Sequence, residues 1–169
     1  MYHFLGLGGV GMSALAHILL EKGETVKGFD QSTSPYLQTL KEKGAVISSM
    51  IEKEALVVYS SAFTPSNPLR KKAQNLGCKM LHRSELLQLL MQGKKQCIVT
   101  GSHGKTFTTA LLSFVFLSAK KDPSFVIGGA LKNFSKNGHL GKGELFIAEG
   151  DESDGSFLKT DPDLAIVTS

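Results

Sequence analysis

The seven residues Thr100-Gly101-Ser102-His103-Gly104-Lys105-Thr106 have the make-up that phosphate chemistry needs. Glycines let backbone N–H groups close around phosphate oxygens, Lys105 supplies a cation, and the Thr106 hydroxyl is a ligand for Mg²⁺. The full phosphate-loop pattern has a further glycine five residues before Gly104, where this chain has Val99, so the match is a shortened one. Seven of the 15 acidic residues fall between positions 144 and 163. There an apolar run over 145–148 leads into Glu149, followed by Gly150-Asp151-Glu152-Ser153-Asp154. A strand that delivers carboxylates to its C-terminal end, in the same sheet as a phosphate loop, provides a Mg²⁺ site. By itself the acidic run also reads as a solvated turn.

A second glycine loop stands near the start. Gly6-Leu7-Gly8-Gly9-Val10-Gly11 fits G-x-G-x-x-G, with an apolar run before it and a helical stripe after it. Such glycines permit the tight turn and let the backbone approach a diphosphate held at the helix N-terminus. Asp30 follows 19 residues after Gly11, at the end of the next strand-like run, where a carboxylate accepts hydrogen bonds from ribose hydroxyls. The loop alone does not distinguish NAD from a nucleotide sugar.

The elements that must hold these loops alternate along the chain. Strand-like runs occupy 3–7, 25–29, 45–48, 56–61 and 79–82, and helical patterns lie between most of them. Ser34-Pro35 and Asn67-Pro68 mark helix starts, Ser84 caps a helix through Leu90, and Gly23, Gly44, Gly77 and Gly93 mark helix stops. After the polar link 93–96 the pattern restarts with a strand at 97–100, the loop ending in Lys105-Thr106 and an apolar helix whose stripe at 111–117 packs into a core. The expected fold class is therefore α/β. A Rossmann-like parallel-sheet domain over 1–92 is followed by the start of a P-loop-type α/β ATPase domain over 93–169.

Composition narrows the function class. Apolar residues make up 41% and charged residues 20%, as in a folded globular protein, and the net charge of +4 is too weak a bias for nucleic acid. No apolar stretch reaches the roughly 20 residues of a spanning helix, and no leader precedes the first strand, so membrane insertion is not expected and a cytoplasmic location is. Cys78 and Cys97 lack ligand spacing and read as reduced structural thiols. The five histidines show no metal-ligand spacing; His17 reads as structural, and His103 lies inside the phosphate loop.

Two different nucleotide loops in adjacent α/β units form an unusual pair. With HFLGLGGVGMSALA at 3–16, VVYSSA at 57–62, HRSELL at 82–87, TGSHGKT at 100–106, FVIGGAL at 125–131, AEGDESDGSFL at 148–158 and AIVTS at 165–169, the chain resembles the Mur ligase family throughout its length. The first loop is more similar to that of alanine-adding members than to that of tripeptide-adding ones. The resemblance implies an ATP- and Mg²⁺-dependent amide ligase of peptidoglycan precursor synthesis, with UDP-N-acetylmuramate and L-alanine as substrates and an acyl phosphate on the path.

Carried over by motif, Lys105 and Glu149 are the catalytic residues, and Gly101, Ser102, His103, Gly104, Lys105 and Thr106 hold ATP. Thr106 and Glu149 ligate the metal, Gly6, Gly8, Gly9 and Gly11 hold the UDP diphosphate, and Asp30, Ser60 and Ser61 seat the uridine nucleotide. Phe107 and Gly150 depart from the family pattern, which has Thr and Ala there. The resemblance also implies that the ATP-binding domain is incomplete at Ser169 and that an amino-acid-binding domain is absent. An unpaired sheet edge and an uncovered apolar face are then expected. Two other classes remain in play: an NAD-dependent oxidoreductase, which leaves Lys105 and Thr106 unexplained, and a non-catalytic nucleotide-binding module.

Overall fold

The computed structural model describes residues 1–31, 33–131, 136–150 and 162–169. The first sheet has the order β3-β2-β1-β4-β5 and is parallel throughout. Its strands are β1 (Tyr2–Leu5), β2 (Val26–Phe29), β3 (Val46–Ile47), β4 (Leu56–Tyr59) and β5 (Lys79–His82), and its helices are α1 (Val10–Glu21), α2 (Pro35–Glu42), α3 (Pro68–Asn75) and α4 (Arg83–Met91). β1 is central, with Phe4 paired to Gly28 on one side and to Val58 on the other. The strand order reverses between β1 and β4. In open α/β sheets the crevice beyond the carboxyl ends of such a pair is where ligands bind.

The second sheet has the order β10-β6-β9-β7-β8, with β6 (Lys95–Gly101), β7 (Ser124–Leu131), β8 (Lys136–His139), β9 (Leu145–Glu149) and β10 (Leu164–Thr168). Only β7 and β8 pair antiparallel among these strands. α5 (Lys105–Ser118) follows β6 and packs on β6, β7 and β9. The β7 and β8 strands were not anticipated, because 124–139 is rich in Gly, Asn and Lys and lacks a clear two-residue alternation.

Helix starts follow side-chain chemistry. The Ser34 hydroxyl accepts from the Leu37 N–H at 3.2 Å, and the Asn67 amide oxygen accepts from Leu69 N–H at 2.9 Å, each followed by proline in the first turn. The cap of α4 differs from the expected Ser84. His82 is the cap: its Nδ1 accepts from the Ser84 N–H at 3.3 Å, while Glu85 accepts from the His82 N–H at 2.6 Å. Ser84 instead lies buried inside the first turn.

α1 is held by both sheets. One continuous core joins Phe4, Leu15, Ile18, Val58 and Leu86 to Ile98, Val126 and Phe146 of the second sheet. A Cβ on Gly138 of β8 would fall 2.0 Å from the Ala14 carbonyl oxygen, so only glycine admits this approach. Beside it Asn137 Nδ2 donates to the Val10 carbonyl at 2.7 Å and lies 3.0 Å from the Ser13 hydroxyl.

At the far end of α1, Glu21 accepts from Lys136 Nζ at 2.8 Å, from His139 Nδ1 at 3.0 Å and from the Leu140 N–H at 2.6 Å. His139 Nε2 also lies 3.0 Å from Asp122. Burial acts to raise the Glu21 carboxyl, but the bonds from His139, Leu140 and Lys136 outweigh it and hold it at about 2. The Glu21 bond, against burial, raises His139.

The 111–117 stripe is only half a core. Leu112, Phe116 and Leu117 pack inward, whereas Leu111, Phe114 and Val115 are exposed, and Phe107 is 72% exposed. On the edge strand β10, Val167 is 77% exposed. The expectation of complete core packing for this stripe was therefore wrong for its outer face.

Candidate functional site

Two loops emerge at the carboxyl ends of the two sheets. In the first, Gly6 turns with φ of +80°, and a Cβ there would meet the Phe63 ring at 2.7 Å. Asp30 Oδ2 accepts from the Gly8 N–H at 2.8 Å, and the Ser34 hydroxyl donates to the Gly8 carbonyl at 2.9 Å. The Asp30 carboxylate thus fixes the loop backbone, a role that the motif alone did not suggest. Gly9 is the cap of α1 and supplies no side-chain bond, and no acidic residue stands in the first turn. The first amides of α1 therefore have no side-chain cap, the arrangement that suits an anion.

A cavity of about 390 Å³ opens beside this loop, lined by Gly6, Phe29, Asp30, Phe63, Asn67 and Leu69, among others. Arg70 fixes its wall: the guanidinium stacks 4.1 Å from the centre of the Tyr59 ring and donates to the Phe63 carbonyl at 2.8 Å. Ser60 and Ser61 are not among the lining residues. The Ser60 carbonyl accepts from the Phe63 N–H at 2.9 Å, and the Ser61 hydroxyl lies 3.3 Å from His82 Nε2.

In the second loop, Gly101 and Gly104 have φ of +126° and +78°, and Gly104 caps α5 without a side chain. Lys105 Nζ donates to the Gly101 carbonyl across the loop. The Thr106 hydroxyl donates to Glu149 Oε2 at 3.1 Å, so the predicted pair of cation ligands from α5 and β9 does meet. Ser102, His103 and Gly104 are exposed at the loop surface. β10 closes one side, where the His103 N–H donates to the Ser169 carbonyl at 3.1 Å and the Thr168 hydroxyl donates to the His103 carbonyl at 2.5 Å.

Two residues here escaped sequence reasoning. The Gly128 N–H donates to Glu149 Oε1 at 2.5 Å, and a Cβ on Gly128 would stand 2.7 Å from Oε2. Glycine inside a strand is the signal that could have found it. Arg83 is the second: with Gly11, Leu15 and Glu149 it lines a narrow cleft between the sheets.

The donor set fits a hard divalent cation. Thr106 and Glu149 offer oxygen ligands beside a lysine, as Mg²⁺ with a bound phosphate requires. Among the described residues no group of three or more His, Cys, Asp or Glu is arranged so that it could hold a metal ion. Asp151, Glu152 and Asp154 lie outside the described residues. No helix of the described residues is long and apolar enough to cross a membrane.

Two five-stranded sheets, the first parallel throughout and the second parallel except for β8, each with a glycine loop at its carboxyl end, define an α/β protein of the doubly wound kind. The chain belongs to the Mur ligase family: the family model "Mur ligase family, catalytic domain" matches residues 1–95. Among curated relatives, UDP-N-acetylmuramate–L-alanine ligase of Aquifex aeolicus is 44% identical over 99% of this chain and 38% of its own length. The bifunctional enzyme MurC/Ddl of Chlamydia pneumoniae is 46% identical over 99% of this chain and 21% of its own. The chain thus spans well under half of these relatives. Among solved structures, UDP-N-acetylmuramate-alanine ligase MurC of Thermotoga maritima superposes with a TM-score of 0.86 at 28% identity, covering 98% of this chain and 40% of that one.

Proposed function

We propose that this chain carries the nucleotide-sugar site and part of the ATP site of a cytoplasmic ligase that joins L-alanine to UDP-N-acetylmuramate for peptidoglycan. The reading divides it near residue 93 into a sugar-nucleotide domain over 1–92 and the first part of an ATP-binding domain over 93–169. The observation that carries it is the joining of Glu149 to Thr106, one residue from Lys105 and across the core from a separate glycine loop. An oxidoreductase has no use for that second site.

In this reading Gly6, Gly8, Gly9 and Gly11 present backbone to the UDP diphosphate, and Asp30 sets that backbone through Gly8. Ser60 and Ser61, near the end of β4, seat the uridine part. Gly101, Ser102, His103 and Gly104 cradle the ATP phosphates, and Lys105 turns from the Gly101 carbonyl to the γ-phosphate. Thr106 and Glu149 would hold Mg²⁺, which when bound neutralises phosphate charge. Phosphorylation converts the sugar's carboxylate oxygen into a leaving group, so that an amine can displace it.

Calorimetric titration of the chain tests the assignment. UDP-N-acetylmuramate should bind, NADH should not, and Lys105→Ala should leave the UDP-sugar affinity unchanged. Binding of NADH in place of the UDP-sugar would overturn the reading.

A further inference from the structure

Three glycines surround Val10 in Gly8-Gly9-Val10-Gly11, and glycine loses more freedom than any other residue when its backbone is fixed. A loop of this make-up needs outside groups to hold its peptides in one orientation. Asp30 and Ser34 hold the N–H and the carbonyl of Gly8 from within the first unit. The Val10–Gly11 peptide is held from the second sheet.

The tether is Asn137 of β8, fully buried and 127 residues along the chain. Its two Nδ2 hydrogens have two acceptors, the Val10 carbonyl at 2.7 Å and the Ser13 hydroxyl at 3.0 Å. Ser13 in turn donates to the same carbonyl at 2.9 Å, so the three groups close a ring on one oxygen. Asn137 Oδ1, by contrast, is buried and accepts no hydrogen bond among the described residues. A buried acceptor left unpaired is costly. Leucine has nearly the same shape without that oxygen, so a seam that needed only packing would be served better by it. The donor half of the amide is what this place uses.

The Val10–Gly11 peptide is trans, so its carbonyl and its N–H point in opposite directions. The carbonyl receives Asn137, and the Gly11 N–H points out of the first turn of α1, among the amides that a helix cannot satisfy by itself. A donor on the carbonyl polarises the amide and makes its N–H a stronger donor in turn. Asn137 therefore both aims the Gly11 N–H and strengthens it toward an anion at the helix N-terminus.

We propose, resting on the nucleotide-sugar reading above, that Asn137 is a positioning residue for the UDP diphosphate, acting through the Val10–Gly11 peptide without touching the ligand. The second sheet then completes the anion-binding turn of the first.

Asn137→Leu tests this, since it keeps the volume and removes the donors. Calorimetry should show UDP-N-acetylmuramate bound about 5-fold more weakly, within the span of one neutral hydrogen bond. Affinity for ATP with Mn²⁺ at the second loop should stay within about 2-fold. In ¹H–¹⁵N spectra of the ligand-free chain, the Gly11 amide proton should move upfield as its polarisation is lost. Unchanged UDP-sugar affinity in the folded variant overturns the proposal. So does an equal loss at both nucleotide sites, which marks a general defect, or a Gly11 signal that stays in place.

If Asn137→Leu does not fold, wild type decides. Saturation with UDP-N-acetylmuramate should move the Asn137 side-chain amide signals together with that of Gly11, and side-chain signals that stay fixed while Gly11 moves overturn the proposal. Failure of wild type to bind the UDP-sugar would instead refute the parent reading.

Discussion

Replacing Gly128 by alanine tests the cation site without touching a ligand. The added Cβ would stand 2.7 Å from Glu149 Oε2, 3.0 Å from the Thr106 hydroxyl and 3.1 Å from Oε1, against 3.4 Å for ordinary contact. The carboxylate must therefore retreat by about 0.7 Å on its nearer side. Such a shift stretches the 2.5 Å bond from the Gly128 N–H and pulls Glu149 away from Thr106. A hydrogen bond to a charged group contributes ~1.5–3 kcal/mol, and the solvent-exposed setting favours the lower end, or about 10-fold in cation affinity. Titration with Mn²⁺ in the presence of ATP, read by electron paramagnetic resonance, should show that loss. UDP-N-acetylmuramate affinity should stay within about 2-fold, since the first loop is untouched. Unchanged Mn²⁺ affinity in the folded variant would refute the argument that Gly128 sets the carboxylate, and an equal fall for both ligands would show a general defect instead.

Other outcomes follow from the same geometry. Gly8→Val should cut UDP-N-acetylmuramate affinity with little change in circular dichroism, because its Cβ would meet Ser34 Oγ at 2.9 Å and Asp30 Oδ2 at 3.0 Å; unaltered calorimetric binding would count against the loop assignment. The His139 clamp, raised by its bond to Glu21, should be complete below about pH 6.5 and weaken as pH rises through the raised value. The Tm advantage of wild type over His139→Gln should thus shrink above that pH. Glu21, held at about 2, contributes above pH 4.5 and loses its contribution as pH falls toward 2, so Glu21→Gln should converge on wild type in acid. His17, buried and lowered to about 4, disfavours folding as pH falls from 6.5 toward 4, and His17→Leu should flatten that part of the Tm profile.

Much of this was legible in the residues. Strand β5 matched its sequence-read bounds, β2, β3 and β4 fell within theirs, β1 began one residue before the run read for it, and the prolines after Ser34 and Asn67 stood in the first turns of α2 and α3. The meeting of Thr106 with Glu149 was also foreseen, because a loop after one parallel strand and an acid ending its neighbour must share an edge. What was missed depends on distant pairing. His82 is the exception: its partner Glu85 is only three residues on, but histidine is not among the preferred cap residues, so the spacing did not read as a capping box. Gly128 and Gly138 read as weak strand residues until the groups that crowd them, Glu149 and Ala14, are in place. The outer face of α5 looked like core because periodicity records an apolar stripe but not whether anything covers it.

The contact of β8 with α1 bears on how this protein can be recombined. The helix that presents the first loop's amides touches Gly138 and Asn137 and is tied through Glu21 to Lys136 and His139, all more than 100 residues along the chain. A chimera that joins the first half of one relative to the second half of another therefore inherits a mismatched seam. Crossovers near residue 93 look benign in sequence, yet they separate Ala14 from the glycine that its carbonyl requires. Functional hybrids should arise only when the 136–140 segment travels with α1, so the unit of exchange is discontinuous along the chain.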